Sequence, residues 1–155
     1  MDIVLHPIGT IHTPHKNKSE APIQPSRAEG AEGVVEVFPE YEEGLSDLEG
    51  FSHIYLLFYF HKSAGYSLKV TPYLENKLRG LFATRSPNRP CGIGLSVVRL
   101  LKIEGNKLYI KDADMLDGTP LLDIKPFTDE FDKRTEIKVG WLEGRLKRKS
   151  KRSSS

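Results

Sequence analysis

Three features of the sequence predict an all-β fold, a barrel or closed sandwich of short, mostly antiparallel strands with little helix. About eight short runs carry strand chemistry, β-branched and aromatic residues in alternation. Glycine, proline, asparagine or aspartate punctuates the chain about every ten positions. Hardly any segment holds a helical period.

Residues 2–13 contain two β-branched runs broken at His6-Pro7, and the proline predicts an edge or bulged strand. Thr13 to Ala31 carries Pro14, Pro22 and Pro25 and no hydrophobic period, so it reads as a long loop. Gly33 to Phe38 alternates as a strand and stops at Pro39, and Glu40 to Leu45 is a candidate continuation. Ser46 to Gly50 reads as one helical turn, with Ser46 as N-cap and Gly50 as stop. Phe51 to Phe60 is the strongest strand, apolar enough to predict a central position buried on both faces, and it delivers His61-Lys62. Ile93 to Ile103 and Lys107 to Lys111 flank Glu104-Gly105-Asn106, which is hairpin chemistry. Leu121 to Lys125 is a further strand, and Ile137 to Leu142 a last one, with Trp141 read as core.

Between two of these strands lies Arg79 to Ser96, which packs Pro87, Pro90, three glycines and three arginines into eighteen positions. Leu81-Phe82-Ala83 reads as a short strand before it. Prolines stiffen such a loop, glycines admit close backbone approach, and arginines offer planar donors to carboxylate or phosphate. Gly92-Ile93-Gly94 leads into a strand and not a helix, which argues against a Rossmann nucleotide site.

Composition narrows the class. A chain of 155 residues is expected to form one domain, here residues 1–144, followed by a basic, serine-rich tail over 145–155 read as disordered. That tail contributes +6 (Arg145, Lys147, Arg148, Lys149, Lys151, Arg152) to a formal net charge of +2, so the body is mildly acidic at −4. The single cysteine, Cys91, excludes an internal disulfide and is read as a packed or incidental thiol. The longest apolar run, Ile54 to Phe60, is seven residues, and no targeting segment is apparent, so a cytoplasmic protein without membrane partners is expected. His12, His15 and His53 follow no recognised ligand spacing, and no metal is expected.

Several motifs in order carry a family resemblance: Pro7-Ile-Gly9 with Ile11-His-Thr-Pro14, Pro22-Ile-Gln24, Phe51-Ser-His53, Phe60-His61, Gly80 to Ser86, Arg89-Pro90, Ile93 to Ser96, and Asp117-Gly-Thr-Pro120 with Asp123 to Pro126. Together they resemble the TrmO, or TsaA-like, family over nearly residues 3–130. The resemblance implies a β-barrel methyltransferase dependent on S-adenosyl-L-methionine, a homodimer, and methylation of N6 of N6-threonylcarbamoyladenosine beside the tRNA anticodon. It implies a cofactor site lined by Pro22, Ile23, Gln24, His61, Lys62, Arg85, Leu95, Asp114, Met115, Leu116 and Asp117. Arg89 and Lys125 are candidate substrate or RNA contacts. Where the family commonly has Asn-Pro after Arg89-Pro90, this chain has Cys91-Gly92. Many bacterial members also continue into a further C-terminal domain.

Under that resemblance, Arg85 or Lys62 would neutralise the cofactor carboxylate, Gln24 would read the adenine edge, and the Asp114–Asp117 turn would face the sulfonium. His61 or Asp117 would take the proton of the attacking nitrogen. The alternatives are a methyltransferase of the same fold acting on a small molecule or other acceptor, and a noncatalytic module binding adenosyl ligands or RNA.

Overall fold

The computed structural model describes residues 1–17, 30–73 and 75–144. Among them eight strands form: β1 (Gly9–His12), β2 (Glu32–Val37), β3 (His53–Tyr59), β4 (Lys69–Val70), β5 (Arg79–Gly80), β6 (Ile93–Glu104), β7 (Lys107–Lys111) and β8 (Thr119–Pro126). Six of them close into a barrel in the order β1-β2-β7-β6-β3-β8, every pair antiparallel. β4 and β5 form a separate two-residue ladder. The barrel is the all-β fold the sequence predicts, and closure leaves none of its strands with a free edge.

Alternation sets the core. Ile11, Val35, Val37, Ile54, Leu56, Phe58, Val98, Leu100, Leu108, Ile110 and Leu121 point inward and are buried. Two bulges keep that alternation compatible with closure. Leu57 pairs with Asp123 but Phe58 with Leu121, so Leu122 is extra on β8. The inward positions therefore switch from Thr119 and Leu121 to Ile124, which packs against the core. Leu101 does the same on β6, between Leu100 and Ile103. The hairpin at Gly105-Asn106 turns with Gly105 at φ +60°.

Several local expectations are corrected. β1 begins only at Gly9 and pairs on both sides, so Pro7 precedes a barrel strand and does not mark an edge; Ile3, Val4 and Leu5 lie exposed before it. β3 is central, but only alternate residues are buried, since the outside of a closed barrel has no second sheet to cover it. Pro39–Leu45 is a 3₁₀ helix, not a strand, and Ser46 ends it, its hydroxyl donating to the Glu43 carbonyl at 3.0 Å. A second 3₁₀ turn spans Leu48–Gly50. Leu81–Ala83 is also 3₁₀, because Gly80 is the last residue to pair with β4.

The final strand does not form. A short helix α1 (Asp129–Asp132), capped by Thr128, and a 3₁₀ turn at Gly140–Leu142 occupy the C-terminal stretch. Trp141 is not core: its indole N–H donates to the Ala83 carbonyl at 2.8 Å and the Arg79 guanidinium lies 5.6 Å above its ring. It clips this stretch to the arginine-bearing loop. Cys91 is exposed in that loop. The expected tail over 145–155 lies outside the described residues.

Candidate cofactor site

One mouth of the barrel gathers the end of β3, the start of β6, the start of β8 and the loop between β5 and β6. A cavity of about 510 Å³ opens there, a size suited to a small organic molecule. Its apolar wall is built on glycine. Phe58 is directly opposite Gly94 in the β3–β6 ladder, and a Cβ on Gly94 would stand 2.3 Å from the Phe58 ring. Only a residue without a side chain lets that ring lie flat and meet Phe60 edge to face at 5.3 Å. Ile93 and Leu95, outward on the same strand, add partly exposed apolar surface.

The opposite wall is the turn from Ala113 to Gly118, held by the segment after β1. Thr13 Oγ1 donates to the Met115 carbonyl at 2.8 Å, the Asp117 N–H donates to the His15 carbonyl at 2.7 Å, and the Gly118 N–H donates to the Ile11 carbonyl at 2.9 Å. Gly118 takes φ +81°, a backbone shape that favours glycine and turns the chain into β8. Met115 is thereby buried in the core while Asp114, Met115 and Leu116 border the cavity.

The two aspartates of this turn differ in environment. Asp117 accepts Lys16 Nζ at 2.8 Å and the Thr13 N–H at 3.0 Å, and the lysine holds its carboxyl below the usual carboxylate range. It borders a separate, shallower groove with His12, Lys16, Lys102 and Tyr109. Asp114 borders the cavity, and burial pushes its carboxyl up despite the Ser96 hydroxyl, which lies 2.8 and 3.0 Å from its two oxygens. His61, at the end of β3, is moved the other way: burial and then the neighbouring Lys62 charge lower its pKa, favouring the neutral ring.

Cations rim the same cavity. Arg85 is exposed and makes no hydrogen bond or ion pair among the described residues, so its guanidinium is open to an anion. Lys62 Nζ donates to the Lys16 carbonyl at 3.3 Å. Arg89 also borders the cavity but is tied into the loop, its Nη1 3.0 Å from the carbonyls of both Thr84 and Ser86 and its guanidinium over Phe82.

Of the residues named from the sequence, the structure brings His61, Lys62, Arg85, Arg89, Leu95, Asp114, Met115 and Leu116 to one cavity. Asp117 faces the neighbouring groove, and Lys125 pairs with Asp123 on β8 at 3.1 Å, away from the cavity lining. Pro22, Ile23 and Gln24 lie outside the described residues. Sequence reasoning missed Phe58 and Ser96 as cavity residues. Ser96 had a detectable signal, a polar residue at an inward position between Gly94 and Val98 of an otherwise apolar strand face.

Comparison with known proteins fixes the family. The model of the tRNA-methyltransferase O N-terminal domain matches residues 10–133. The chain belongs to the TrmO family. A Pyrococcus abyssi relative called a probable S-adenosyl-L-methionine-binding protein is 55% identical over 141 residues, covering 91% of this chain and 77% of that protein. The human tRNA (adenine(37)-N6)-methyltransferase is 38% identical over 138 residues, covering 84% of this chain and 31% of that enzyme. The crystal structure of TrmO from Pseudomonas aeruginosa superposes with a TM-score of 0.76 at 40% identity, covering 90% of this chain and 62% of that one. The chain thus spans less than two thirds of the bacterial TrmO and about a third of the human enzyme.

Proposed function

We propose that this chain methylates N6 of N6-threonylcarbamoyladenosine next to the tRNA anticodon. As a member of the TrmO family it is an S-adenosyl-L-methionine-dependent tRNA methyltransferase; the modified nucleoside and its position are the finer part of the proposal. The observation that carries it is the convergence of cations, an apolar wall and a half-buried carboxylate on a single cavity of the family barrel.

That donor set fits the cofactor. Arg85 and Lys62 supply cations for its carboxylate, and Leu95, Met115 and Leu116 supply apolar surface for its purine. When bound, S-adenosyl-L-methionine presents an electrophilic methyl group on a sulfonium. The protein's part is to orient the acceptor nitrogen in line and to exclude water, which the Phe58 and Phe60 rings serve. Neutral His61 is available as a hydrogen-bond partner to the acceptor. Arg89 at the rim and Lys125 on the outer face of β8 are assigned to RNA backbone contact, and the active assembly to a homodimer.

The test is incubation of the purified protein with methyl-labelled cofactor and total tRNA, followed by nucleoside digestion. Label on N6-threonylcarbamoyladenosine is expected. Cofactor binding with label on a different nucleoside, or on none, would overturn the assignment of the acceptor.

A further inference from the structure

Resting on the methyl-transfer reading above, we propose that the Asp114 carboxylate is the proton acceptor for the attacking nitrogen. Two groups named from the sequence for that role, His61 and Asp117, lie near Asp114 at this end of the barrel, and their surroundings separate the three. Asp117 is committed to Lys16 and the Thr13 N–H and borders a different groove. His61 borders the cavity, but burial and the Lys62 charge both resist its protonation, so the barrel lowers its basicity while it raises that of Asp114. Asp114 borders the cavity, forms no ion pair among the described residues, and accepts the neutral Ser96 hydroxyl from β6.

Burial favours the protonated form of Asp114, so accepting a proton relieves a cost already present in the folded protein. Among the described residues, Arg89 borders the same cavity from the loop before β6. His15, in the segment after β1, and Arg85, from the loop before β6, favour its ionised form, while His61 and Lys62 line the same cavity from the end of β3. Its neighbours thus favour the ionised form while its burial makes it more basic than an ordinary carboxylate.

The step balances. The N–CH₃ bond forms as the S–CH₃ bond breaks with its electron pair left on sulfur, and the nitrogen's proton passes to an Asp114 carboxylate oxygen. A sulfonium and a carboxylate are both neutralised, which a poorly hydrated cavity favours. The proton then leaves to solvent.

Asp114→Asn keeps the shape and an acceptor for the Ser96 hydroxyl. Cofactor affinity by calorimetry is expected to stay within about threefold, while the single-turnover methylation rate falls about 10²- to 10⁴-fold and loses its acid limb. Ser96→Ala removes the one hydroxyl holding the carboxylate ionised and is expected to move that limb to higher pH. Carboxyl NMR of the cofactor-free protein should show one aspartate titrating above the ordinary range, absent in Asp114→Asn and shifted upward in Ser96→Ala. An unchanged rate or a retained acid limb in Asp114→Asn, with active wild type, would overturn this assignment alone. A cofactor affinity falling in step with the rate would make Asp114 a cofactor ligand instead. Wild type that methylates no tRNA would overturn the underlying reading, and the proposal with it. Should Asp114→Asn fail to fold, an acid limb unmoved in Ser96→Ala would overturn it.

Discussion

Asp114 and Asp117 sit three positions apart in one turn, yet they contribute oppositely to stability. Asp117 has a lowered pKa because Lys16 contacts it, so its contribution is present above the ordinary carboxylate value and is lost as pH falls through its folded value. Asp114 has a raised pKa, so the folded protein binds a proton more tightly than the unfolded chain. Its favourable contribution exists below the ordinary value and is lost as pH rises through the folded one. Above its folded value the ionised Asp114 therefore costs stability. Asp114→Asn is expected to raise the melting temperature at about pH 8 by a few degrees and to leave it unchanged near pH 3, as read by circular dichroism. At the cavity rim Arg85 makes no hydrogen bond or ion pair among the described residues, so Arg85→Ala should leave folding intact. Calorimetry should show cofactor binding weakened by about 2 kcal/mol, roughly thirtyfold.

At the scale of elements, the β3–β6 pair matters most, because it sets both the core and the cavity wall. Gly94 opposes Phe58, and the ring occupies the space a Cβ would need. Phe58 is 4% exposed and packed against Phe60, so it has little room to retreat. Gly94→Ala is expected to destabilise the barrel by roughly 1–3 kcal/mol, seen as a lower urea midpoint at an unchanged slope. Much of this element was legible: the β6–β7 hairpin and the β3 strand follow from residue type alone. The two bulges were not, because Leu101 and Leu122 look like ordinary strand residues until the partner strands fix which positions face inward. The C-terminal stretch misled for a related reason: Ile137 and Val139 have strand propensity, but the closed barrel leaves no edge for them to join.

For the whole molecule, charge is the quantity that connects fold to partner. The body is mildly acidic and the last eleven residues carry six positive charges. Six positive charges offer phosphate contacts, so deleting residues 145–155 is expected to weaken tRNA binding at low salt and to flatten the slope of log K against log salt. Lys125→Ala should reduce that slope by about one. Equal binding before and after both changes would remove electrostatic phosphate contact from these positions. The proposed homodimer predicts a light-scattering mass twice the 17.5 kDa of one chain.

The sequence by itself determined the all-β class, the hairpin, the family and several of the residues that border the candidate cavity. Those properties rest on short-range chemistry, since turn residues and alternation act within a few positions and the family motifs are contiguous. Only the tertiary structure separated the two aspartates. Asp117 meets the Thr13 N–H across 104 positions and Asp114 meets Ser96 across 18, so which carboxylate is paired with a cation and which is buried depends on strand closure. Burial and pairing set a carboxylate's basicity, and neither exists before the barrel closes.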